Sequence, residues 1–342
     1  MKDLSGKVVT ITGASSGLGR ATAIRFAARG TRLVLAARRE DALRETAEIC
    51  RNAGADVIYV VTDVTLEDDV RRLADRALAA FGRIDIWVNN AGVTCFAPLE
   101  GTPFDAHRRV IETNLFGSMF GARAAVPIFR RQRSGVLINV GSILSKIGQP
   151  FVPSYAISKF ALRGLSEALR AELADLPDVH ICSIYPYAMN TEHFQNGANL
   201  MGVEAHAMPP AQSPGKVAEA IVALAARPRR ELHVPRSAVL ALWLHELFPR
   251  TVERLIFHAL GNWHFSRMPE PATRGNLYAP NTDEARVRGA RPPLLSTPRF
   301  LVWLARNFVP IMWATSKGES LPAANDQGVE VLPVSDETRL AH

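Results

Sequence analysis

The stretch TGASSGLG, residues 12–19, joins a short apolar run, KVVTIT at 7–12, to a helical segment that ends near Gly30. The apolar run lacks polar alternation, which is typical of a strand buried on both faces. Glycines here permit a tight turn and allow the next helix N-terminus to approach a pyrophosphate. A purely structural turn is the alternative. Because the stretch lies between a strand and a helix, we predict a nucleotide-binding turn whose candidate residues are Gly13, Ser15, Ser16, Gly17, Leu18 and Gly19.

The alternation of strands and helices continues to about residue 235. Further apolar runs lie at 31–37, 55–61, 83–92, 135–140, 178–186 and 231–235, with helical segments between most of them. This rhythm predicts an α/β, Rossmann-like, doubly wound parallel sheet of about seven strands with helices on both faces. Ligands of such sheets bind beyond the carboxyl ends of the strands.

Composition excludes several classes of protein. The chain has 342 residues, is 47% hydrophobic and 21% charged, and carries a formal charge of +7. Its arginines are scattered and form no basic block with interleaved aromatics, so we expect no nucleic-acid partner.

The three cysteines, Cys50, Cys95 and Cys182, are far apart, which favours a reducing compartment and predicts no metal site. With neither a signal peptide nor a membrane-spanning apolar run in the sequence, we expect a cytoplasmic protein.

The sequence changes character after about Arg236. Two segments, 238–265 and 294–315, are apolar, aromatic and basic. We predict three parts: a Rossmann-like domain at 1–235, an apolar helical C-terminal extension at 236–316, and a disordered tail at 317–342. The extension could pack on the domain, form a homo-oligomer contact, or lie on a membrane surface as a peripheral anchor. We expect packing or oligomerisation ahead of membrane contact.

The end of the second strand reads Ala36-Ala37-Arg38-Arg39. A dinucleotide fold that binds NAD often places an acid near this point for the ribose hydroxyls. Here no acid would repel a 2′-phosphate, and two guanidinium groups could pair with one. The alternative is a pair of solvated arginines, which a helix N-terminus disfavours slightly. We therefore expect NADP(H) as cofactor, with NAD(H) second, and Arg38 and Arg39 as cofactor-binding residues.

The stretch SYAISKF, residues 154–160, places Lys159 four residues after Tyr155. Only six of the 40 basic residues are lysines, so a compact ammonium at this position suggests a specific need. Residues four apart share one helix face. A free tyrosine titrates near 10, and a nearby ammonium stabilises the phenolate. This pattern predicts an acid/base tyrosine, and the alternative is a surface lysine beside a half-buried tyrosine.

Taken together, TGASSGLG, NNAG at 89–92, Asn114, Ser142 and the Tyr155–Lys159 pair resemble the short-chain dehydrogenase/reductase family in its single-domain form, over residues 4–235. The resemblance implies an NADP(H)-dependent enzyme that interconverts an alcohol and a ketone or aldehyde by hydride transfer. It implies that Tyr155 is the general acid/base and that Lys159 holds the nicotinamide ribose and lowers the pKa of Tyr155. It also implies that Ser142 hydrogen-bonds the reacting carbonyl and that Asn114 supports a water-linked proton relay.

The resemblance also implies a set of cofactor contacts. Those to the adenine, the cofactor floor and the nicotinamide end would come from Asp63, Val64, Asn90, Ala91, Gly92, Pro186, Met189 and Thr191. One departure is Tyr187, which stands where the family usually has glycine. A bulky side chain there could narrow the nicotinamide pocket and alter the contacts of Met189 and Thr191.

The segments 93–102, 143–153 and 187–212 should form the substrate wall. Their apolar residues are Phe96, Ile143, Leu144, Phe151, Val152, Phe194, Met201 and Met208. We predict a small, lipophilic alcohol or carbonyl substrate, although loops that fold over a cofactor are also apolar. Glu192 and His193 are candidate polar anchors. The alternative functions are a non-enzymatic NADPH-binding module and a membrane-associated scaffold.

Overall fold

The computed structural model describes residues 3–281 and 285–317. Its strands are β1 (Val8–Thr12), β2 (Arg32–Ala37), β3 (Asp56–Val61), β4 (Ile86–Asn89), β5 (Cys95–Phe96), β6 (Gly135–Val140), β7 (Val179–Pro186), β8 (Ala198–Asn199), β9 (Val203–Ala205), β10 (Glu231–Val234) and β11 (Phe265–Pro269). Seven of these form one parallel sheet in the order β10-β7-β6-β4-β1-β2-β3. The strand order reverses between β1 and β4, and the point of reversal is where such sheets bind ligands. The predicted doubly wound sheet of about seven strands is confirmed.

The helices are α1 (Gly17–Ala27), α2 (Glu40–Asn52), α3 (Glu67–Phe81), α4 (Phe104–Ile111), α5 (Gly117–Gln132), α6 (Pro153–Glu172), α7 (His193–Asn196), α8 (Pro214–Ala226), α9 (Ala238–Leu247), α10 (Pro249–Trp263) and α11 (Thr297–Lys317). Helices α1, α2 and α8 cover one face of the large sheet, and α3, α5 and α6 cover the other. All five residues of β1 are buried. Its odd and even residues face different helix layers, which explains the absence of polar alternation.

Local turns set two of the helix starts. Pro103 directly precedes α4, and a π-helical turn over Glu112–Phe116 separates α4 from α5. Helix α3 begins at Glu67, and the Thr65 hydroxyl just before it donates to Asp63 Oδ1 at 2.8 Å.

The C-terminal extension folds back onto the large sheet's ligand-binding side. Strand β11 pairs antiparallel with β9, and α9 and α11 both pack on α10. The extension is therefore not wholly helical, because β11 and an irregular segment before α11 interrupt it. The predicted disordered tail lies outside the described residues apart from Lys317, which ends α11. No helix within the described ranges is both long and apolar enough to cross a membrane.

Candidate active site

The glycine turn between β1 and α1 has backbone geometry that only glycine tolerates. Gly13 and Gly17 have φ angles of +66° and +53°, and a Cβ at Gly19 would lie 2.0 Å from the Gly13 carbonyl oxygen. The Asn90 side chain, from the end of β4, donates to the Thr12 carbonyl at 2.9 Å and fixes the turn against the neighbouring strand. The result is a turn without side chains at Gly13, Gly17 and Gly19, which fits the close approach of a dinucleotide.

A cleft of about 320 Å³ runs along the carboxyl ends of the strands. The structure brings all the candidate cofactor-binding residues to its wall: Gly13, Ser15, Ser16, Gly17, Leu18, Gly19, Arg38, Arg39, Asp63, Val64, Asn90, Ala91, Gly92, Tyr155, Lys159, Pro186, Met189 and Thr191. Ser142 also lines the cleft, whereas Asn114 lies behind it. No group of side chains suited to hold a metal ion occurs in residues 3–281 and 285–317.

Ser142 and Tyr155 meet at one end of this cleft. Ser142 follows β6 with an extended backbone, and its hydroxyl accepts a hydrogen bond from Leu144 N at 3.2 Å. Burial raises the pKa of Tyr155 to about 12, and the contact with the Ser142 hydroxyl opposes this rise. Tyr155 is therefore protonated at neutral pH. The expected lowering of the Tyr155 pKa by a lysine does not appear, because burial of the phenol is the largest cause of the shift and the opposing effect comes from Ser142.

Lys159 lies one turn after Tyr155 on α6 and is 4% exposed. Its Nζ donates to the Val140 carbonyl at 2.8 Å and lies 5.4 Å from the centroid of the Tyr155 ring. Burial lowers the pKa of Lys159 to about 8 because the ammonium has lost its water. The Lys159 ammonium thus lies beside the protonated phenol of Tyr155. One of its three N–H donors is hydrogen-bonded to the Val140 carbonyl.

Asn114 is fully buried in the π-helical turn. Its side chain accepts a hydrogen bond from Val93 N at 2.8 Å and donates to Val93 O and to Ser158 Oγ, each at 3.0 Å. A Cβ at Gly92 would lie 3.2 Å from Asn114 Oδ1 and 3.8 Å from Lys159 Nζ, so both groups border the same glycine. Asn114 therefore anchors the strand exit beside the lysine. π-Helical turns are frequent at functional sites.

The two arginines after β2 lie at the opposite end of the cleft from Tyr155. Arg38 donates to the carbonyls of Asn276 and Leu277 at 2.6 and 3.2 Å, and Arg39 donates to Asn281 O at 2.7 Å. Burial is the largest cause of the lowered pKa of Arg38. The C-terminal extension therefore holds both guanidinium groups in place through hydrogen bonds. The alternative of two freely solvated arginines does not describe this arrangement.

Asp63 lies next to these arginines. Its carboxylate accepts hydrogen bonds from Thr65 N at 2.9 Å and from Arg109 Nη2 at 3.0 Å. The hydrogen bonds from Thr65 and the charges of Arg109 and Arg38 lower the pKa of Asp63 against the opposing effect of burial. The carboxylate is therefore ionised and held in place at the predicted adenine end.

Sequence reasoning missed the contribution of the C-terminal extension to this site. Residues Asn276, Pro280, Asn281 and His264 all line the cleft. The extension also crosses the glycine turn, where Gly17 N donates to Arg286 O at 2.8 Å and Arg286 N donates to Glu192 Oε1 at 2.7 Å. No sequence motif predicts these contacts, because they depend on how segments distant in the sequence pack together.

Tyr187 lies on the cleft wall, and its hydroxyl donates to the Pro209 carbonyl at 3.1 Å. Burial raises the pKa of Tyr187 to about 12. Its ring packs among Ile143, Leu144 and the start of α9. The side chain that replaces the usual glycine is therefore anchored in the apolar wall. Thr191, the predicted contact beyond it, is buried close to Gly17.

Aromatic rings line the far end of the cleft beyond Tyr155. The ring of His193 lies 5.5 Å from that of Tyr155 and 5.8 Å from that of Phe194, and Phe194 stacks on Phe96. Burial lowers the pKa of His193 to about 4, and the charge of Lys159 adds to this, so the imidazole is neutral. Six of the eight predicted wall residues line the cleft: Phe96, Ile143, Leu144, Val152, Phe194 and Met208. The other two, Phe151 and Met201, pack in the cluster that contains Phe96.

The sheet, the glycine turn and the Ser142, Tyr155 and Lys159 constellation define a nucleotide-binding oxidoreductase with a Rossmann-like fold. A family model for short chain dehydrogenase matches residues 7–199. The chain therefore belongs to the short-chain dehydrogenase/reductase family.

Two relatives illustrate the range of this similarity. The uncharacterised oxidoreductase YxnA of Bacillus subtilis is 36% identical over 282 residues, which cover 81% of this chain and 79% of YxnA. The match therefore reaches into the C-terminal extension. The 11-beta-hydroxysteroid dehydrogenase 1A of Arabidopsis thaliana is 40% identical over 193 residues, 56% of this chain and 54% of that protein. This chain thus matches about half the length of the plant relative.

Solved structures agree with this assignment. A short chain dehydrogenase/reductase from Burkholderia phymatum in complex with NAD is 30% identical, with a TM-score of 0.66 over 72% of this chain and 95% of that one. An alcohol dehydrogenase from Thermococcus sibiricus complexed with 5-hydroxy-NADP is 30% identical, with a TM-score of 0.59 over 67% of this chain and 96% of that one. Members similar to this chain thus include complexes with either class of nicotinamide dinucleotide.

Proposed function

We propose that this protein is an NADP(H)-dependent oxidoreductase that interconverts an alcohol and a ketone or aldehyde on a lipophilic substrate. One observation carries the proposal. The Ser142 hydroxyl, the Tyr155 phenol and the Lys159 ammonium converge at one end of a cleft whose other side is the glycine turn. A module that only bound a nucleotide would need the turn alone. A buried phenol beside a hydroxyl and a buried cation is what proton transfer to a carbonyl requires.

The residues around the cleft fit a nicotinamide dinucleotide. The glycine turn would hold its pyrophosphate, Asp63 and Val64 its adenine, and Lys159 its ribose, while Asn90, Ala91 and Gly92 would form its floor. Pro186, Met189 and Thr191 would contact the nicotinamide end. When bound, this group supplies the hydride acceptor or donor.

Side chains of this protein would carry out the proton transfer and orient the substrate. Tyr155, with a pKa of about 12, holds its proton at neutral pH and can give it to a carbonyl oxygen. The Ser142 hydroxyl orients that oxygen, and Lys159 keeps a positive charge beside the phenol as the proton leaves. Asn114 stabilises the strand exit behind the lysine and would support the proton relay. The aromatic wall excludes water, which strengthens each of these interactions.

The character of the wall supports a lipophilic substrate. Phe96, Phe194 and Met208 border the cleft, and His193, whose ring contacts those of Tyr155 and Phe194, is neutral. The relative named as an 11-beta-hydroxysteroid dehydrogenase acts on an apolar ring compound by its name. A substrate of this kind would bury its rings against the aromatic wall, which contributes about 25 cal/mol for each Å² removed from water.

A screen of ketones tests this function directly. We expect turnover of apolar cyclic ketones, with kcat/KM at least about tenfold above that for carboxylated ketones of equal size, because Phe96, Phe194 and the neutral His193 offer no positive charge to a carboxylate. We also expect NADPH to be used in preference to NADH. Turnover of the charged ketones alone would contradict the lipophilic substrate, and binding of NADPH without any turnover would favour a non-enzymatic module.

The same assay tests the role of the two arginines. Each charge-assisted contact to a phosphate contributes about 1.5–3 kcal/mol, so Arg38→Ala should lower the NADPH-to-NADH preference about tenfold or more. Arg39→Ala should act in the same direction. Arg44, an exposed residue on α2, provides a matched control because Arg44→Ala removes the same charge away from the cleft. An unchanged preference in the Arg38→Ala variant would argue for NAD(H).

The extension also presents an apolar surface away from the cleft. Helix α11 packs on α10 through Phe300 and Trp303, which contact Trp263. Its opposite face exposes Leu301, Val302, Val309 and Trp313. Helix α11 contains no acidic residue, and it carries Arg299, Arg306 and Lys317. A basic helix with one exposed apolar face suits an anionic lipid surface, and we propose a peripheral membrane contact there.

Vesicle flotation tests the lipid contact. We expect the protein to float with vesicles of phosphatidylserine and phosphatidylcholine, and Val309→Asp to reduce the bound fraction several-fold. Phe104, an exposed residue on α4, provides the control, because Phe104→Asp should leave binding unchanged. Absence of flotation together with a dimer mass that Val309→Asp reduces would show that this surface is a homo-oligomer contact instead.

A further inference from the structure

Glu231 begins β10, the edge strand of the large sheet, and lies outside the segment matched by the family model, residues 7–199. Both oxygens of its carboxylate accept hydrogen bonds. Lys146 Nζ donates to Oε2 at 2.6 Å, and the Tyr185 hydroxyl donates to Oε1 at 3.1 Å. One partly buried carboxylate therefore ties together the two segments that carry these donors.

Lys146 holds the far end of the turn that begins at Ser142. It directly follows a short 3₁₀ turn, Ile143–Ser145, which Ser142 caps. Ser142 N donates to Ser145 Oγ at 3.2 Å, and the Ser142 hydroxyl accepts from the backbone N–H two residues later, also at 3.2 Å. The turn is thus closed on itself at Ser142, and the ion pair of Lys146 fixes where it ends.

Tyr185 supports the near end of the same turn. A Cβ at Gly141 would lie 2.8 Å from Tyr185 Cδ1, so the residue before Ser142 lies directly on the phenol ring. Gly141 N also donates to the Ile184 carbonyl at 2.8 Å. Tyr185 is 1% exposed, and its hydroxyl is hydrogen-bonded to Glu231, so the ring is a fixed support.

Glu231 also reaches the helix that carries the other two groups of the site. Arg163 lies on α6, beyond Tyr155 and Lys159. Its Nε lies 4.0 Å from Glu231 Oε1 and donates to Glu167 Oε1 at 2.9 Å. The same carboxylate therefore lies between α6 and the turn that begins at Ser142.

The charges around Glu231 suit this bridging position. Burial opposes ionisation of the carboxylate, but the hydrogen bond and charge of Lys146, aided by Tyr185 and Arg163, outweigh burial and lower the pKa of Glu231. The carboxylate is therefore ionised at neutral pH. Charge-assisted hydrogen bonds of this kind are stronger than neutral ones.

We propose that Glu231 is a positioning residue, which fixes the Ser142 hydroxyl relative to the Tyr155 phenol by tying both ends of the Ser142 turn and contacting α6. This inference rests on the proposed function, because the geometry matters only if a carbonyl oxygen binds between the two hydroxyls. Small misplacements of such groups can cost about 10²-fold in rate. The alternative is an ion pair that only anchors β10, which would affect stability alone.

A double-mutant cycle tests the proposal. Glu231→Gln keeps the shape of the side chain and removes its charge. We expect it to lower kcat for an apolar ketone about tenfold and to leave NADPH affinity within about twofold, because Ser142 acts on the substrate oxygen. In a Ser142→Ala background the same substitution should lower kcat by less than about twofold more, since the hydroxyl that Glu231 positions is already absent.

Glu167→Gln is the matched control. Glu167 is an exposed carboxylate that pairs with Arg163 on the same helix. Its substitution removes one negative charge beside Arg163 and keeps the contacts of Lys146 and Tyr185 with Glu231. We expect kcat within about twofold of the parent protein in both backgrounds.

Hydrogen exchange of the turn provides a readout besides activity. Residues 142–146 donate their backbone N–H groups within the turn at Ser142, Leu144, Ser145 and Lys146. Glu231→Gln should speed exchange of these amides several-fold, because the turn loses its ionic tie, whereas Glu167→Gln should leave the exchange unchanged.

Two results would overturn the proposal on separate grounds. If Glu231→Gln lowers kcat equally with and without the Ser142 hydroxyl, or leaves exchange of residues 142–146 unchanged, Glu231 only anchors β10 and the proposed function stands. If the wild-type protein turns over no ketone, the proposed function fails and this inference fails with it.

Discussion

A Tyr155→Phe variant should lose hydride-transfer activity by roughly a thousand-fold while binding the cofactor normally. The substitution removes the only hydroxyl oxygen of that side chain and keeps its ring, which packs beside His193. Since general acid catalysis contributes about 10²–10⁴-fold to such reactions, its loss should appear in kcat and not in cofactor affinity. Initial rates of NADPH oxidation with an apolar ketone measure kcat, and a fluorescence titration with NADPH measures the cofactor affinity.

The control for this variant is Tyr59→Phe on β3. Tyr59 packs at the edge of the sheet's hydrophobic core, away from the cleft, so removing its hydroxyl should leave the rate within about twofold. Retention of wild-type activity in Tyr155→Phe would remove Tyr155 from the chemistry. The reaction would then need another proton donor, and the neighbouring His193 would be the next residue to test.

Lys159→Met should lower kcat/KM about a hundred-fold or more, because it removes a buried cation from beside the phenol. Lys159→Arg should fail by a similar factor although it keeps the charge. Lys159 is 4% exposed, and its Nζ donates to the Val140 carbonyl at 2.8 Å, so the position suits a compact ammonium with rotatable donors and not a planar guanidinium. Steady-state kinetics of both variants would separate charge from shape, and an active arginine variant would show that charge alone suffices.

The pH dependence of the wild-type protein follows from the same residue. The pKa of Lys159 is lowered to about 8, so its positive charge is complete below that pH and is lost as pH rises through it. Carbonyl reduction should therefore slow above about pH 8. Lys159→Met has no group to lose and should show no fall in this range, which a pH series of kcat/KM for both proteins would check.

Much of the candidate site could be predicted from local sequence. The burial of β1 on both faces left a run of apolar residues that marks a central strand, and the glycines after it are required by positive φ angles and close backbone contacts. Ser142, Tyr155 and Lys159 could be placed beside the cleft because Ser142 follows a recognisable strand and the other two share a helix face, and their roles are what the family resemblance implies. These signals are short-range, so a single sequence carries them.

Other properties depend on packing between distant segments. The partners of Arg38 are carbonyls some 240 residues later, and no periodicity links them. The high pKa of Tyr155 arises from burial, which the spacing to Lys159 does not encode. The place of His264 in the cleft wall was hidden for the same reason, because it depends on how the C-terminal extension packs against the large sheet.

The extension that crosses the glycine turn through Arg286 also bears His264 at the opposite end of the cleft. The same extension thus contacts both the glycine turn and the aromatic end of the cleft. Grafting residues 236–317 onto another scaffold to alter substrate choice would therefore transplant part of the nucleotide clasp as well. A recombination breakpoint at residue 235 would therefore separate the glycine turn from the Arg286 carbonyl that Gly17 N contacts.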